Sequence, residues 1–545
     1  MKAADEVIEV NREELQALLE RKRETLGEED YQKLQKLLRA FSYLADLIGE
    51  KETTISQLRA LLMKPSTEKT SRVLEQAGLE AARKNPPSRL TTNQKPKPGH
   101  GRNGAEAYCG AVRIPIAHRS LNPGDRCPEC LKGKVYEQKK PGLRIRLVGH
   151  APIAATVYEL ERLRCNLCGE VFEAEAPEGV GEKKYDESAA AMIALLKYGS
   201  GVPFYRLAGL EKNLGIPLPA STQWEIVEEL AEGIRSAFEE LIRQAAQGEV
   251  FHNDDTKMTI LSLDRESAPA LGTPEESSRS SERTGLFTSG IVSTKQGQRI
   301  ALFFTGRRHA GENFAQVLAR RAAGLPPPIQ MADGLSWNFA KLPKTLQVII
   351  GNCNAHSRRR FVEVVSNFPE ECRYVLESLS EVYRYEAQAE ERSLSAEERL
   401  RFHQEHSGPV MERLHAWMLA QFAEKRVEPN SGLGSAMTYC LKHWERLTLF
   451  LRQAGAPLDN NLVERALKKA ILHRKNSLFY KTENGAEVGD LFMSLIHTCE
   501  LNGTNPFDYL VELQKHAEEA ARNPSAWMPW NYREALARAG VGTGI

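Results

Sequence analysis

Three carboxylates stand where a chain could bring them together: Asp254, Asp333 and Glu464. Asp254 falls inside an apolar, strand-like run. Asp333 closes another such run and is followed at once by Gly334. Glu464 lies about one turn into a helix that opens with Asp459-Asn460-Asn461. Ionised carboxylates held close together repel one another unless cations bind between them. Oxygen donors of this kind suit magnesium or manganese. Two such ions ~4 Å apart can serve both the attacking and the leaving oxygen of a phosphodiester. Asp255 adjoins Asp254, and successive strand side chains point to opposite faces. On chemistry alone the two are equal candidates.

Cations accompany these acids. Arg465, Lys468, Lys469, His473, Arg474 and Lys475 follow Glu464 with no acid among them, and Asn476 comes next. Lys468 is one helical turn from Glu464 on the same face. His356, Arg358, Arg359 and Arg360 form a second basic cluster. A basic stripe leading from a metal site is what a DNA backbone requires. His356 reads as a phosphate contact or a packed residue before it reads as an acid or base.

The elements that must position these groups fall into an order. Strand-like runs at 250–263, 285–294 and 299–305, with a polar insert at 264–284, precede a helix at 311–322. Short apolar strands follow at 328–331 and 347–350. Three strands, a helix, a strand, a helix and a strand make the order of a ribonuclease H-like α/β core. In such a core the first and fourth strands are neighbours and a late helix crosses them. A long helical block without strand signal fills 358–452.

Upstream, Cys127-Pro-Glu-Cys130 and Cys165-Asn-Leu-Cys168 are separated by 34 residues. Two such pairs predict a closed four-thiolate zinc site, a zinc ribbon, with one structural ion and no open catalytic position. The other five cysteines are scattered, which is no disulfide framework. Residues 11–62 predict a long helix. Leu34, Leu37, Phe41, Leu44, Ile48, Ile55, Leu58 and Leu62 repeat every 3.5 residues, broken only at Lys51, as in a coiled coil. Residues 83–104 are rich in Pro and Gly and carry six cations without an acid, Lys97 and Arg102 among them. They predict an extended basic linker, a tether or a strap along DNA. Residues 186–245 predict helices at 188–197 and 204–214, and a third from Ser221 and Thr222 with Glu225 in a capping arrangement. A helix-turn-helix and an ordinary helical subdomain both fit.

Of 545 residues, 41% are hydrophobic and 27% charged, and the net charge is +1. That excludes a uniformly basic coat and leaves local patches. No apolar run approaches the ~20 residues of a membrane span, and the N-terminus shows no secretory pattern. The expected compartment is cytoplasmic. The expected divisions are an N-terminal helix at 1–65, a linker at 66–108, a zinc ribbon at 109–178 and a helical subdomain at 179–247. The core occupies 248–357 and 457–500, interrupted by a helical insertion at 358–456, and a helical tail covers 501–545.

The chain resembles the transposases of the insertion-sequence 66 family. The resemblance is carried by Leu61-Leu-Met-Lys-Pro-Ser-Thr-Glu-Lys69, Lys97-Pro-Gly-His-Gly-Arg-Asn-Gly104 and the two cysteine pairs. It continues in His252-Asn-Asp-Asp-Thr256, Ala332-Asp-Gly334 and Ala355-His-Ser-Arg-Arg359. Its most specific pieces are Leu458-Asp-Asn-Asn-Leu-Val-Glu-Arg-Ala466 and His473-Arg-Lys-Asn-Ser-Leu-Phe479, and it ends in Asn502-Gly-Thr-Asn-Pro506 and Tyr509-Leu510. It implies an Asp-Asp-Glu triad of Asp254, Asp333 and Glu464, which separates Asp254 from Asp255. It also implies that the helical block is an insertion before the last catalytic helix. Asp255 stands where Glu is usual, His473 where Gly is usual, and Leu335-Ser-Trp337 where a tyrosine-containing stretch is usual.

The expected function is metal-dependent cleavage of element ends and 3′-end strand transfer into target DNA. The partners are DNA, a second copy of the chain and helper proteins from the same element. DNA contacts are expected from Lys97, Arg102, His356, Arg358, Arg359, Arg465, Lys468, Arg474, Lys475 and Asn476. A DNA-binding regulator without catalysis and a stand-alone nuclease are the competing readings.

Overall fold

The computed structural model describes residues 31, 32, 35, 69–76, 106, 113–117, 120–136, 138, 143, 144, 146, 150–164, 166, 168, 171–177, 183–266, 285–339, 341–343, 346–538 and 540. The heptad helix, the basic linker with Lys97 and Arg102, and Cys165 lie outside these residues, apart from isolated positions. In chain order come α1 (Thr70–Gln76), β1 (Arg162–Arg164), β2 (Val171–Glu173), α2 (Glu187–Ala194), α3 (Phe204–Asn213), α4 (Ala220–Gly233) and α5 (Arg235–Ala245). Then follow β3 (Val250–Lys257), α6 (Leu261–Glu266), β4 (Phe287–Lys295), β5 (Gln298–Gly306), α7 (Ala310–Leu318), β6 (Ile329–Ala332) and β7 (Ile349–Asn352). The helical block contains α8 (Asn354–Val364), α9 (Pro369–Glu391), α10 (Ala396–His406), α11 (Gly408–Ala423), α12 (Gly432–Lys442) and α13 (Trp444–Leu447). The chain closes with α14 (Asn461–Ser477), α15 (Glu483–Leu501), α16 (Pro506–Lys515), α17 (Ala517–Arg522) and α18 (Tyr532–Arg538).

The fold is mixed α/β. Five strands form one sheet in the order β5-β4-β3-β6-β7, and β1 and β2 form a separate antiparallel pair. The chain divides into two compact units. One draws on Met1–Ala82, Met331–Gly334 and Ile349–Asn461, the other on Arg83–Gln330, Leu335–Val348 and Leu462–Ile545.

In the larger unit, β3, β4 and β5 pair antiparallel, with Asp254 opposite Gly290 and Asp255 opposite Ser289. β5 is an edge strand, and an uncovered edge leaves a row of unpaired backbone groups. α15 covers it with side chains. Its Asp490, Ser494, Thr498 and Asn502 recur every fourth residue, and they accept from the N–H groups of Thr305, Phe303, Ala301 and Arg299 at 2.5, 3.0, 3.1 and 3.2 Å. Four residues of helix advance about 6 Å and two residues of strand about 6.6 Å, so the two periods stay in step. Between these polar positions α15 is apolar and almost wholly buried, with Leu491, Phe492, Leu495 and Ile496 in the core.

Several elements depart from the sequence expectation. Between β6 and β7 the expected helix is, among the described residues, only a single 3-10 turn at Ser336–Asn338; a stretch of 16 residues holding Pro343 has little room for more. The first strand stops at Lys257, and Leu261–Glu266 turns helical. α4 starts one residue early, with Pro219 at the N-cap and no side-chain cap, which places Ser221 and Thr222 inside the first turn. The run Leu143-Arg-Ile-Arg-Leu147 alternates as a strand would, yet no strand forms among the described residues there, Leu143, Arg144 and Arg146.

In the smaller unit, α8, α9, α12 and their neighbours form a helical bundle with α1. Cys372, Val375, Leu376 and Leu379 of α9 are buried, as are Leu433, Ala436 and Met437 of α12. Glu386 and Arg399 pair at 2.7 Å, and His403 bonds the same carboxylate at 2.8 Å.

Candidate functional site

The larger unit gives Asp254 and Asp255 different work. Residues directly opposite in an antiparallel pair share a face, so Asp254 shares a face with Gly290. A Cβ on Gly290 would lie 2.9 Å from Leu467 and 3.1 Å from Val463, both on α14. α14 therefore packs against the Asp254 face, and Gly is needed there because the helix approaches the strand too closely for a side chain. Glu464, next to Val463, is in the first turn of this helix.

Asp255 faces the other way. It accepts from Ser289 Oγ at 2.7 Å, His309 Nδ1 at 3.0 Å and the Ala310 N–H at 3.0 Å. Asn313 Nδ2 donates in turn to Ser289 Oγ at 2.8 Å. Asp255 thus ties α7 to the sheet, its side chain 7% exposed. Asp254 Oδ1 accepts from Asn338 Nδ2 at 3.2 Å and from the Asp255 N–H at 2.8 Å. Asn338 is itself fixed: its carbonyl accepts from Asn253 Nδ2 at 2.7 Å and Gln330 Nε2 at 2.9 Å. The 3-10 turn that replaces the expected helix thus orients Asp254. Nothing in the sequence around Asn338 signals this role.

Asp333 belongs to the smaller unit, directly after β6, and is buried. A Cβ at Gly334 would come within 2.5 Å of the Tyr439 hydroxyl oxygen, so glycine lets the turn close against α12. The Gly334 amide bonds that oxygen, and burial raises the Tyr439 hydroxyl above its ordinary range.

The expected DNA contacts divide into exposed and engaged residues. Arg465, Lys468 and Lys475 are exposed on α14. Arg474 donates to Thr256 Oγ1 at 3.2 Å and to the Lys257 carbonyl, and Asn476 Nδ2 donates to the Gly201 carbonyl at 3.1 Å. Arg358 is buried and donates to Thr70 Oγ1 at 3.2 Å. Those three spend donors on protein because they lie on the inward faces of their helices. His356 is half-buried on α8, and Arg359 beside it is partly exposed. His473 is buried between Tyr480 and Tyr198, with ring centroids 4.4 and 6.4 Å away.

Cys127 and Cys130 lie in a tight hairpin. The Cys127 N–H donates to Gly133 O at 2.8 Å, and the Leu131 N–H to Cys127 O at 2.9 Å. Leu131 takes φ 54 to make the turn. The Gly133 N–H donates to Cys130 Sγ at 3.4 Å, and that bond, followed by the one from Lys132, draws the thiol below its ordinary range. A thiolate-stabilising turn of this kind fits a zinc ligand pair. β1 ends just before Cys165 and β2 begins just after Cys168, with Arg162 opposite Glu173. Of the second pair, the described Cys168 lies in the turn between these strands.

Comparison with known proteins identifies the class. The family described as "Transposase IS66 family" matches residues 183–488, more than half of the chain. The chain belongs to the IS66 transposase family. It is 27% identical over 388 residues to the uncharacterized protein y4jD of Sinorhizobium fredii (strain NBRC 101917 / NGR234), covering 68% of this chain and 71% of that one. A second protein of that strain, the uncharacterized y4hP, is 26% identical over 390 residues, covering 69% and 68%. Among the described residues no helix is long and apolar enough to cross a membrane.

Proposed function

We propose that this protein is a DNA transposase in which Asp254, Asp333 and Glu464 are the metal-holding acids of a ribonuclease H-like core. The observation that carries the reading is the pairing of Asp254 with Gly290 on the face crossed by α14, the helix of Glu464. The strand order 3-2-1-4-5 along the sheet, numbering its strands as they occur in the chain, also accords with such a core.

The donor set is three carboxylates, and hard oxygen ligands fit magnesium or manganese. Two such ions, when bound, supply Lewis acidity to the attacking and leaving oxygens of a phosphodiester. The protein's own contribution is orientation. Asn338 and the Asp255 amide hold one oxygen of Asp254 in place. Gly334 and Tyr439 fix the turn that carries Asp333. Exposed Arg465, Lys468 and Lys475 line α14 for a DNA backbone. Water or a DNA 3′-hydroxyl serves as the nucleophile, so no protein nucleophile is needed.

Purified protein with cognate element ends and magnesium is expected to cleave and to join 3′-ends. Asp333→Asn and Glu464→Gln, or chelation by EDTA, are expected to abolish both while end binding persists. Binding by the unmodified protein without any cleavage would favour a regulator, and cleavage without joining a nuclease.

The four cysteines are read as one structural zinc site. Metal analysis should find one zinc per chain, lost in the variant Cys127→Ser/Cys130→Ser together with protection of the hairpin from proteolysis. Zinc-free protein with an equally protected hairpin would exclude the site. The eight divisions given above, an N-terminal coiled coil and a dimer acting on two ends complete the reading.

A further inference from the structure

The helical insertion carries a cationic cluster beside the second acid, in which Arg360 of the basic run joins Lys442 and Arg446, two cations that the sequence did not single out. Tyr439, on α12, touches Gly334, and Asp333 is near enough to act on its hydroxyl. The Arg360 guanidinium stacks on the Tyr439 ring at 4.0 Å from its centroid. The His443 ring lies 4.7 Å from Tyr439 by centroids. Lys442 and Arg446 flank His443, and burial together with Lys442, Arg446 and Arg360 holds its imidazole below the ordinary range. Ser357 Oγ and Cys440 Sγ, 2.7 Å apart, clamp α8 to α12. Arg360, Lys442 and Arg446 are all exposed.

Like charges gathered on one surface destabilise it unless an anion neutralises them. A guanidinium lying on an aromatic ring keeps its edge N–H groups free in direction for phosphate oxygens. We propose that Arg360, Lys442 and Arg446 form a phosphate-binding patch around Tyr439 that holds DNA beside Asp333. Tyr439 is a positioning residue, in contact with both Arg360 and the Asp333–Gly334 turn. The inference rests on the reading of the chain as a transposase, because it takes DNA as the anion.

The test is equilibrium binding of a fluorescein-labelled random-sequence duplex across a salt series. Each lost phosphate contact should flatten the plot of log affinity against log salt by about 0.9. Lys442→Ala should flatten it by about 0.9 and Arg360→Ala/Lys442→Ala by about 1.8. Arg360→Lys should restore most of the Arg360 share, and Tyr439→Phe, which keeps the ring, should leave the slope unchanged. Unaltered slopes in both alanine variants would overturn the patch, and so would a wild-type protein that binds no duplex. Lys442→Ala, at an exposed position, keeps the test open if the double variant fails to fold. A flattened slope in a protein that never cleaves leaves the patch standing and removes the catalytic reading. Cleavage with unaltered slopes does the reverse.

Discussion

Asp254→Asn is expected to eliminate strand cleavage and joining, whereas Asp255→Asn, one residue away, is expected to cost stability and spare the chemistry. The two carboxylates differ in what they face. Asp254 lies opposite a glycine on the side where α14 crosses, with one oxygen oriented by Asn338. Under the metal site proposed above, removing a charged ligand there would forfeit Lewis-acid stabilisation worth several kcal/mol; about 4 kcal/mol is roughly a thousandfold in rate. Folding should barely change, since the Asn338 bond can persist to the amide oxygen. Asp255 instead accepts from Ser289, His309 and the Ala310 amide. An amide in its place offers one acceptor oxygen and puts an NH2 group against Ser289, which already receives Asn313. Leaving such a buried network half-satisfied costs about 1–3 kcal/mol. Strand-transfer assays and chemical denaturation of both variants check this. Equal loss of activity with unchanged stability in both would mean that the two acids act together in the site.

This pair shows where sequence reading stops. Period-two alternation says that neighbouring strand residues face opposite ways, but not which face a distant helix will cover. That choice is made by Gly290, Val463 and Leu467, far from Asp254 in the chain. The basic clusters behave alike. Arg358 and Arg360 are equivalent by type, yet Arg358 turns inward to Thr70 while Arg360 turns outward over Tyr439. Only the packing of α8 against its neighbours separates them. Strand positions, the late helix and the family motifs were legible because each is written in local pattern. The polar ladder of α15, Asp490, Ser494, Thr498 and Asn502 four apart, went unread in the sequence. It acquires meaning only beside an edge strand whose N–H groups recur at the matching interval.

The same contrast governs how the protein should respond to acid. His473 occupies a position where glycine is usual in the resembling family, inside α14 and against Tyr480, Tyr198 and the core. Neither ring nitrogen has a hydrogen-bond partner. Burial, reinforced by the nearby Lys197 ammonium, lowers its pKa to about 3. An unfolded histidine titrates near 6.5. At neutral pH both states hold a neutral ring and His473 imposes no pH dependence. Below about 6.5 the unfolded chain takes up a proton that the folded chain refuses. Stability therefore falls with falling pH until the folded ring itself titrates near 3. At pH 4.5 the loss from this one group is about 2–3 kcal/mol. His473→Phe keeps the ring stack and removes the titration. Its stability should match or exceed that of the wild type at pH 7, and the gap in its favour should widen by about 2–3 kcal/mol at pH 4.5. Carboxylates such as Glu386 and Glu500 are common to both proteins and cancel in the difference. Denaturant titrations at the two pH values measure it. A constant gap between the two proteins would show that the ring meets water or a partner in solution, and that its burial against Tyr480 is not what the packing of α14 implies.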